Sequence, residues 1–428
     1  MKQKLEVPGL EVVKKLAEGG QGEIFIVKRG GKHFALKVYN ASNAIPDQRN
    51  TICFLVEEGI PSASCADKFV WPLEVIDLPK QQSFGYLMPL IDRDRYITLA
   101  DIKSGKVEHP GYRVMVEACR QLAECFRELH IAGCCYRDIS EGNFMFSPDT
   151  GDVIICDNDN IMIDKHAVGN IIGSPGFMAP EVVMGTARPS TVTDQQSLAY
   201  LLFIMLCFGH PLNGMQEYEI RCFDNVAAQE IYGRNPVFVF DPDNLSNSLP
   251  DEEGYRHVAM HWGVLPMHLQ ELFLRAFTVG LKDPSRRVTE IEWKHAFTQM
   301  LGQYHVCECG AENFWDHTKQ RQECWHKQCS LQFPDKLYIY GKSILPILIK
   351  VGQLITTMHL GEKSSSTIVA EIEQHPSDKR LCLLRNKTGE TWRASLGNDQ
   401  IDVPPDKAIP LFSGISIKAA KCEFAVNP

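Results

Sequence analysis

The sequence has no apolar stretch long enough to cross a bilayer. Its longest, SLAYLLFIMLCFG around Leu201, falls short of the ~18–20 residues a span needs and reads as a buried helix. The opening residues, MKQKLEVPGLEVVKK, carry no apolar core of a secretory signal, so a cytoplasmic protein without membrane attachment is expected. Positive charge is not in excess. The chain has 44 Lys and Arg against 53 Asp and Glu, a net charge of −9, which disfavours a general nucleic-acid binder. No internal repeat or long low-complexity tract is present, which excludes a repeat architecture. The 15 cysteines lack the rhythm of a disulfide framework, except between Cys307 and Cys329. Without an export signal, reduced thiols plus one metal site are expected.

What is present is ordinary globular material: 428 residues, 44% hydrophobic and 23% charged, enough for two or three domains. Residues 10–39 alternate apolar and polar positions and carry Gly19, Gly20, Gly22, Gly30 and Gly31, which predicts strands joined by tight turns. From Tyr112 to Gly302 the spacing is helical. In VMVEACRQLAECFRELH, residues Val114, Val116, Leu122, Phe126 and Leu129 mark a buried stripe. A Cys/His-rich segment follows, and after Tyr338 β-branched runs return. The expected class is α+β, with segments 1–92, 93–302, 303–334 and 338–428.

Several motifs suit phosphate chemistry. LAEGGQGEIFIV, residues 16–27, holds Gly19 and Gly22, and glycine lets backbone N–H groups approach an anion closely. Lys37 in FALKVYN lies 15 residues after Gly22 in a strand-like run, where an ammonium is costly unless an anion meets it. HIAGCCYRDISEGN sets His130, Gly133, Arg137, Asp138 and Asn143 close together. Fourteen residues beyond Asn143, VIICDNDN offers Asp157 at the end of an apolar strand. One carboxylate and one amide oxygen suit Mg²⁺, a hard cation that keeps phosphates and waters as its other ligands. Asp159 is a second acid within reach. GSPGFMAPEVV (173–183), the helix from Asp194 and KDPSRRVT with Arg287 follow in order.

In this order, residues 10–300 resemble a protein kinase domain. The resemblance implies a bilobal fold, with a β-rich N-lobe over 1–92 and a helical C-lobe over 93–302. It implies ATP and Mg²⁺ as cofactors and a protein Ser/Thr hydroxyl as acceptor. Ala17, Gly19, Gly22, Ile24 and Ala35 would line the nucleotide, Ala17 standing where the first glycine of the loop is usual. Lys37 would grip the α- and β-phosphates. Asp138 would orient the acceptor hydroxyl and take its proton, while Asn143 and Asp157 would hold the metal. Asp194 would bond to the catalytic-loop backbone, and Arg287 would pair with Glu181. Ser174, Thr191 and Thr193 are hydroxyls open to phosphorylation.

The sequence departs from that pattern in four further places. Tyr136 replaces a His that packs against the metal-binding triplet, and its hydroxyl needs a partner. Ser140 replaces a Lys that neutralises the transferring phosphate. The triplet Asp157-Asn158-Asp159 lacks the usual Phe and Gly. The helix Glu that pairs with the ATP-binding Lys has no clear place, Glu57 and Glu58 being the candidates. These departures leave a nucleotide-binding scaffold without activity as the alternative function.

Two appendages remain. In CECGAENFWDHTKQRQECWHKQC, fourteen residues separate the pair Cys307 and Cys309 from the pair Cys324 and Cys329. Four thiolates suit tetrahedral Zn²⁺ as a structural staple, with His305 and His326 as substitute ligands. Residues 338–428 resemble a forkhead-associated β-sandwich. Ser366, Val369, Ala370 and Ile372 follow one family strand, with Val369 where a His is usual, and NKTGETW from Asn386 follows a family loop. Gly352-Gln353 lacks the Arg expected for bidentate phosphate recognition. The combination resembles bacterial eukaryotic-like Ser/Thr kinases, including those of tellurite-resistance-type gene sets. That likeness implies a metal-dependent protein phosphatase and a von Willebrand-type domain protein as partners.

Overall fold

The computed structural model of the protein describes residues 5, 7, 9–164, 173–316, 322–326, 329, 337–342, 344–362, 367–419 and 422–427. Ser366 lies outside them. Two compact units make up the chain: Met1–Pro110 with Gln121–Ala259 and Leu272–Glu290, and Gly111–Arg120 with Met260–Glu271 and Ile291–Pro428.

The first unit opens with five antiparallel strands, β1 (Glu11–Glu18), β2 (Gly22–Arg29), β3 (Lys32–Tyr39), β4 (Glu74–Leu78) and β5 (Ser83–Pro89), in the order β1-β2-β3-β5-β4. Period-two alternation sorts their side chains. Phe25, Val27, Leu36, Val38, Ile76, Leu78 and Leu87 fill one apolar cluster. The opposite face of β3 carries Ala35, Lys37 and Tyr39, with Tyr86 directly across from Lys37. A substituent on Gly22 would come within 2.1 Å of the Val38 carbonyl oxygen, so the strand crossing admits only glycine there. Helix α1 (Pro46–Glu58) follows β3, with Pro at its start where a missing N–H costs nothing.

Beyond the sheet come helices α2 (Leu99–Lys103) and α3 (Tyr112–Ile131). Val114, Val116, Leu122, Phe126 and Leu129 are all buried, as the stripe requires. Two short antiparallel ladders follow: β6 (Cys134–Cys135) pairs with β9 (Met162–Ile163), enclosing in sequence the hairpin of β7 (Phe144–Phe146) and β8 (Val153–Ile155). Helix α4 (Pro180–Val183) precedes α5 (Thr191–Cys207), which is apolar on every side from Leu198 onward. Residues Leu198 to Cys207 of α5 are all buried, so the longest apolar run is a core helix. Among the described residues, no helix is long and apolar enough to cross a membrane.

The second unit holds a small ladder, β10 (Tyr304–Val306) with β11 (Glu312–Phe314), and then two further sheets. One runs β13 (Ile344–Leu348), β12 (Tyr338–Gly341), β21 (Cys422–Asn427), β20 (Ser416–Ala419), β17 (Trp392–Leu396) and β18 (Asp399–Val403). The other runs β14 (Leu354–Thr356), β15 (Ile368–Gln374), β16 (Cys382–Asn386) and β19 (Ala408–Leu411). Ile339, Ile347, Ile372, Leu384, Trp392 and Ile417, drawn from both sheets, share one core. The expectation of a β-rich N-terminal lobe, a helical lobe and further β structure is met.

Candidate active site

The loop from Cys135 to Asn143 is built around one buried carboxylate. Asp194, near the start of α5, accepts hydrogen bonds from the backbone N–H of Tyr136 and, at 3.0 Å, of Arg137. Arg137 sits at φ +73°, a left-handed conformation that a non-glycine residue holds only under restraint. Its side chain supplies a second restraint, Nε donating to the Asn160 carbonyl at 2.6 Å. His130 bridges the same anchor, at 3.2 Å from Asp194 and 2.7 Å from Glu290. Burial alone would lower the His130 pKa, but the two carboxylates outweigh it and push it up to about 9.

Tyr136 takes the place expected for it. It is fully buried, stands edge-on to Phe126, and its hydroxyl donates to the Cys156 carbonyl. The arrangement ties the catalytic-type loop to the metal-type triplet.

Asp138 is held from two sides. Asn143 Nδ2 donates to its Oδ2 at 3.0 Å and to its carbonyl at 2.8 Å, and Ser174 Oγ donates to its Oδ1 at 2.7 Å. Ser174, read from sequence as a modifiable hydroxyl, is therefore engaged at the site, and Thr193 is buried in the first turn of α5, where it completes a capping box with the N-cap Ser190. A cleft beside Asp138 is lined by Arg137, Ile139, Ser174, Phe177, Met178 and Thr193.

The β7–β8 hairpin brings Asn143 beside the triplet, because Cys156 N–H bonds to the Asn143 carbonyl at 2.8 Å. Asn143 spends its NH₂ on Asp138, which leaves Oδ1, the atom a hard cation would take, unengaged among the described residues. Asp157, with φ +47°, keeps its carboxylate 42% exposed at 3.5 Å from Lys37 Nζ. Desolvation raises the Asp157 pKa, with Lys37 pulling the other way and Asp159 adding to the rise. A neighbouring carboxylate, an open acid and a free amide oxygen form a donor set that fits Mg²⁺.

Lys37 is buried and points into this cluster. Its Nζ lies 2.8 Å from Asp159 Oδ2 and 3.1 Å from Gln21 Oε1 at the tip of the glycine-bearing turn. Burial would lower the Lys37 pKa, yet Asp159 and Asp157 hold it above the ordinary lysine value. Glu57 and Glu58 are exposed at the far end of α1 and make no bond to Lys37. The residue of α1 that reaches the cluster is Gln48, whose Nε2 donates to the Tyr39 hydroxyl at 3.1 Å and the Asp159 carbonyl at 3.0 Å. Tyr39 donates in turn to Asp159 Oδ2.

The remaining residues expected at a nucleotide sit on the same sheet. Ala17 faces Ile24 across β1–β2, Ile24 faces Lys37, and Ala35 lies between Ile26 and Met88. Gly19 N–H closes the turn on the Gly22 carbonyl at 2.9 Å. At the base of the segment Gly173–Val183, Arg287 makes paired bonds of 2.8 and 2.7 Å to Glu181, as the sequence predicts.

The protein kinase domain model matches residues 10–253, more than half of the chain. The chain belongs to the protein kinase family. Mouse calcium/calmodulin-dependent protein kinase type IV is 26% identical over 208 residues, covering 47% of this chain and 41% of that protein. Serine/threonine-protein kinase PknK of Mycobacterium bovis is 35% identical over 112 residues, 26% of this chain and 9% of that protein. Protein kinase gsk31 of Schizosaccharomyces pombe is 24% identical over 174 residues, 40% of this chain and 45% of that protein. The chain thus spans less than half the length of each of these relatives.

In this protein kinase domain, sequence reasoning missed Gln21, Tyr39 and Gln48 and the parts that Ser174 and Asp159 play. One signal was legible: the triplet ends in an acid where the family has glycine, while α1 lacks an acid at its centre.

Two further sets lie in the second unit. The Sγ atoms of Cys307, Cys309, Cys324 and Cys329 all lie within 4.8 Å of one another, with 3.7 Å between Cys307 and Cys329 and between Cys309 and Cys324. Tetrahedral Zn–S bonds of about 2.3 Å place sulfurs about 3.8 Å apart, so the set fits zinc and is far too open for disulfides. Neither His305 nor His326 belongs to the cluster. Asn386 is fully buried, donating to the Glu390 and Val403 carbonyls at 2.7 and 3.0 Å and accepting from Thr388. Its amide secures the turn after β16.

Proposed function

We propose that this chain transfers the γ-phosphoryl group of Mg·ATP to a Ser or Thr hydroxyl of a protein. The reading is carried by the convergence of Lys37 and Asp157, 120 residues apart in sequence, at 3.5 Å in a partly desolvated cluster beside Asn143. Bound Mg·ATP supplies the transferable group and the charge-neutralising metal. Lys37 holds the phosphates, while Asn143 Oδ1 and Asp157 hold the cation. Ala17, Gly19, Gly22, Ile24 and Ala35 line the nucleotide. Asp138, aimed by Asn143 and Ser174, orients the acceptor and receives its proton. Catalysis of this kind is mostly positioning and charge stabilisation.

The domain limits proposed are 1–92 and 93–302 for the two lobes, 303–334 for a zinc-stapled segment and 338–428 for the β domain. The four thiolates hold a structural zinc. A setting in bacterial signalling, and the phosphatase and von Willebrand-type partners, follow from the resemblance alone.

The test is incorporation of labelled phosphate from ATP and Mg²⁺ into a generic acceptor, with Asp138→Ala and Lys37→Ala alongside. Loss of a positioned proton acceptor should lower the rate about 10²- to 10⁴-fold. Equal incorporation by all three proteins defeats the assignment.

A further inference from the structure

A buried ammonium requires a carboxylate, and its source here is unusual for the fold. The Lys of a kinase sheet is ordinarily paired with a Glu from the adjoining helix, and the position of that helix controls activity. Helix α1 contains three acids, Asp47, Glu57 and Glu58, all exposed. Its residue facing the cluster is Gln48, an amide that cannot balance the charge of Lys37. The closest acid to Lys37 is instead Asp159, fully buried and 2.8 Å away.

Asp159 is also fixed independently of Lys37. Tyr39, two residues beyond Lys37 on the same face of β3, donates to the oxygen that Lys37 binds. Gln48 holds its backbone carbonyl. Its other oxygen, Oδ1, is buried without a hydrogen-bond partner, so the carboxylate keeps acceptor capacity to spare. A side chain with no solvent exposure, a second anchoring hydroxyl and a helix amide on its backbone form a built site rather than a chance ion pair.

We propose that Asp159 is the positioning carboxylate of Lys37 and takes over the work of the helix glutamate. Lys37 is then set by the same short segment that carries the metal ligand Asp157. Correct placement of the ammonium and of the metal become one event, and neither depends on an acid from α1. This rests on the kinase reading for the identity of the ligand, but not for the ion pair.

The experiment compares the parent with Asp159→Ala, Asp159→Asn and the double change Asp159→Gly with Gln48→Glu, which moves the acid to the helix. Mg·ATP affinity is measured by equilibrium titration, and steady-state constants are measured for ATP and for peptide separately. Folding is checked by thermal melting without nucleotide. Losing a charged hydrogen-bond partner should weaken ATP binding roughly 10- to 100-fold in Asp159→Ala and Asp159→Asn. The change should fall on the ATP KM and kcat and leave the peptide KM alone, and the double variant should recover most of the lost affinity. A merely structural role would shift both KM values and would not be rescued. ATP affinity within about twofold of the parent in a folded Asp159→Asn overturns the proposal. If the parent binds ATP without transferring phosphate, and Asp159→Asn still loses affinity, the positioning role stands while the transferase reading falls.

Discussion

Ser174 Oγ donates to Asp138 Oδ1 at 2.7 Å, across 36 residues of sequence. The bond aims the carboxylate from the side opposite Asn143. Ser174→Ala should reduce kcat by about tenfold, the worth of one hydrogen bond to a charged group, and Ser174→Thr should retain most of it. Phosphorylation of Ser174 should abolish activity, because it sets a dianion against Asp138. Rates measured on the three forms check this; unchanged kcat in Ser174→Ala refutes it.

The glycine-bearing turn separates two roles. A methyl group on Gly22 would overlap the Val38 carbonyl, whereas a methyl group on Gly19 would meet nothing within 4 Å. Gly22→Ala should therefore destabilise the fold by about 1–3 kcal/mol. Gly19→Ala should leave the melting temperature in place and raise the ATP KM. Urea titration and kinetics distinguish the two.

His130 makes stability depend on pH. Its pKa of about 9 lies above the ordinary 6.5, so the folded state binds the proton more tightly. The contribution is fully present below about pH 6.5 and is lost as pH rises through 9, amounting to roughly 3 kcal/mol. His130→Gln should flatten the fall in unfolding free energy between pH 6.5 and 9. A profile unchanged from the parent's would refute the assignment.

Arg287 has a side chain only 1% exposed against Glu181. Arg287→Met leaves that carboxylate without its partner and should cost about 3–5 kcal/mol. Denaturant titration measures it. The effect on ATP affinity in the surviving folded fraction should be small, since neither residue touches the cluster around Lys37.

The thiol cluster predicts one equivalent of zinc in reduced, folded protein. Replacing Cys309, its exposed member, by Ser should release the metal and lower the melting temperature of the second unit. Less than about half an equivalent in the parent counts against zinc, since a closed structural site binds it tightly.

The sequence by itself determined the order of elements and the family. The alternating strand with Lys37 and the stripe of α3 are local signals fixed by periodicities of two and 3.6 residues, and the turn glycines and the spacing of Asp138, Asn143 and Asp157 are short motifs legible along the chain. The places of Tyr136, Asp194 and Arg287 were legible for the same reason, since a chain already known to fold this way leaves each a single task. What only the tertiary structure decided is who meets whom in the desolvated interior. Lys37 took its carboxylate from Asp159 and not from Glu57 or Glu58, and Asp138 took a hydroxyl from Ser174. A buried charge selects its partner by distance and by the cost of losing water, and neither quantity is written along the chain.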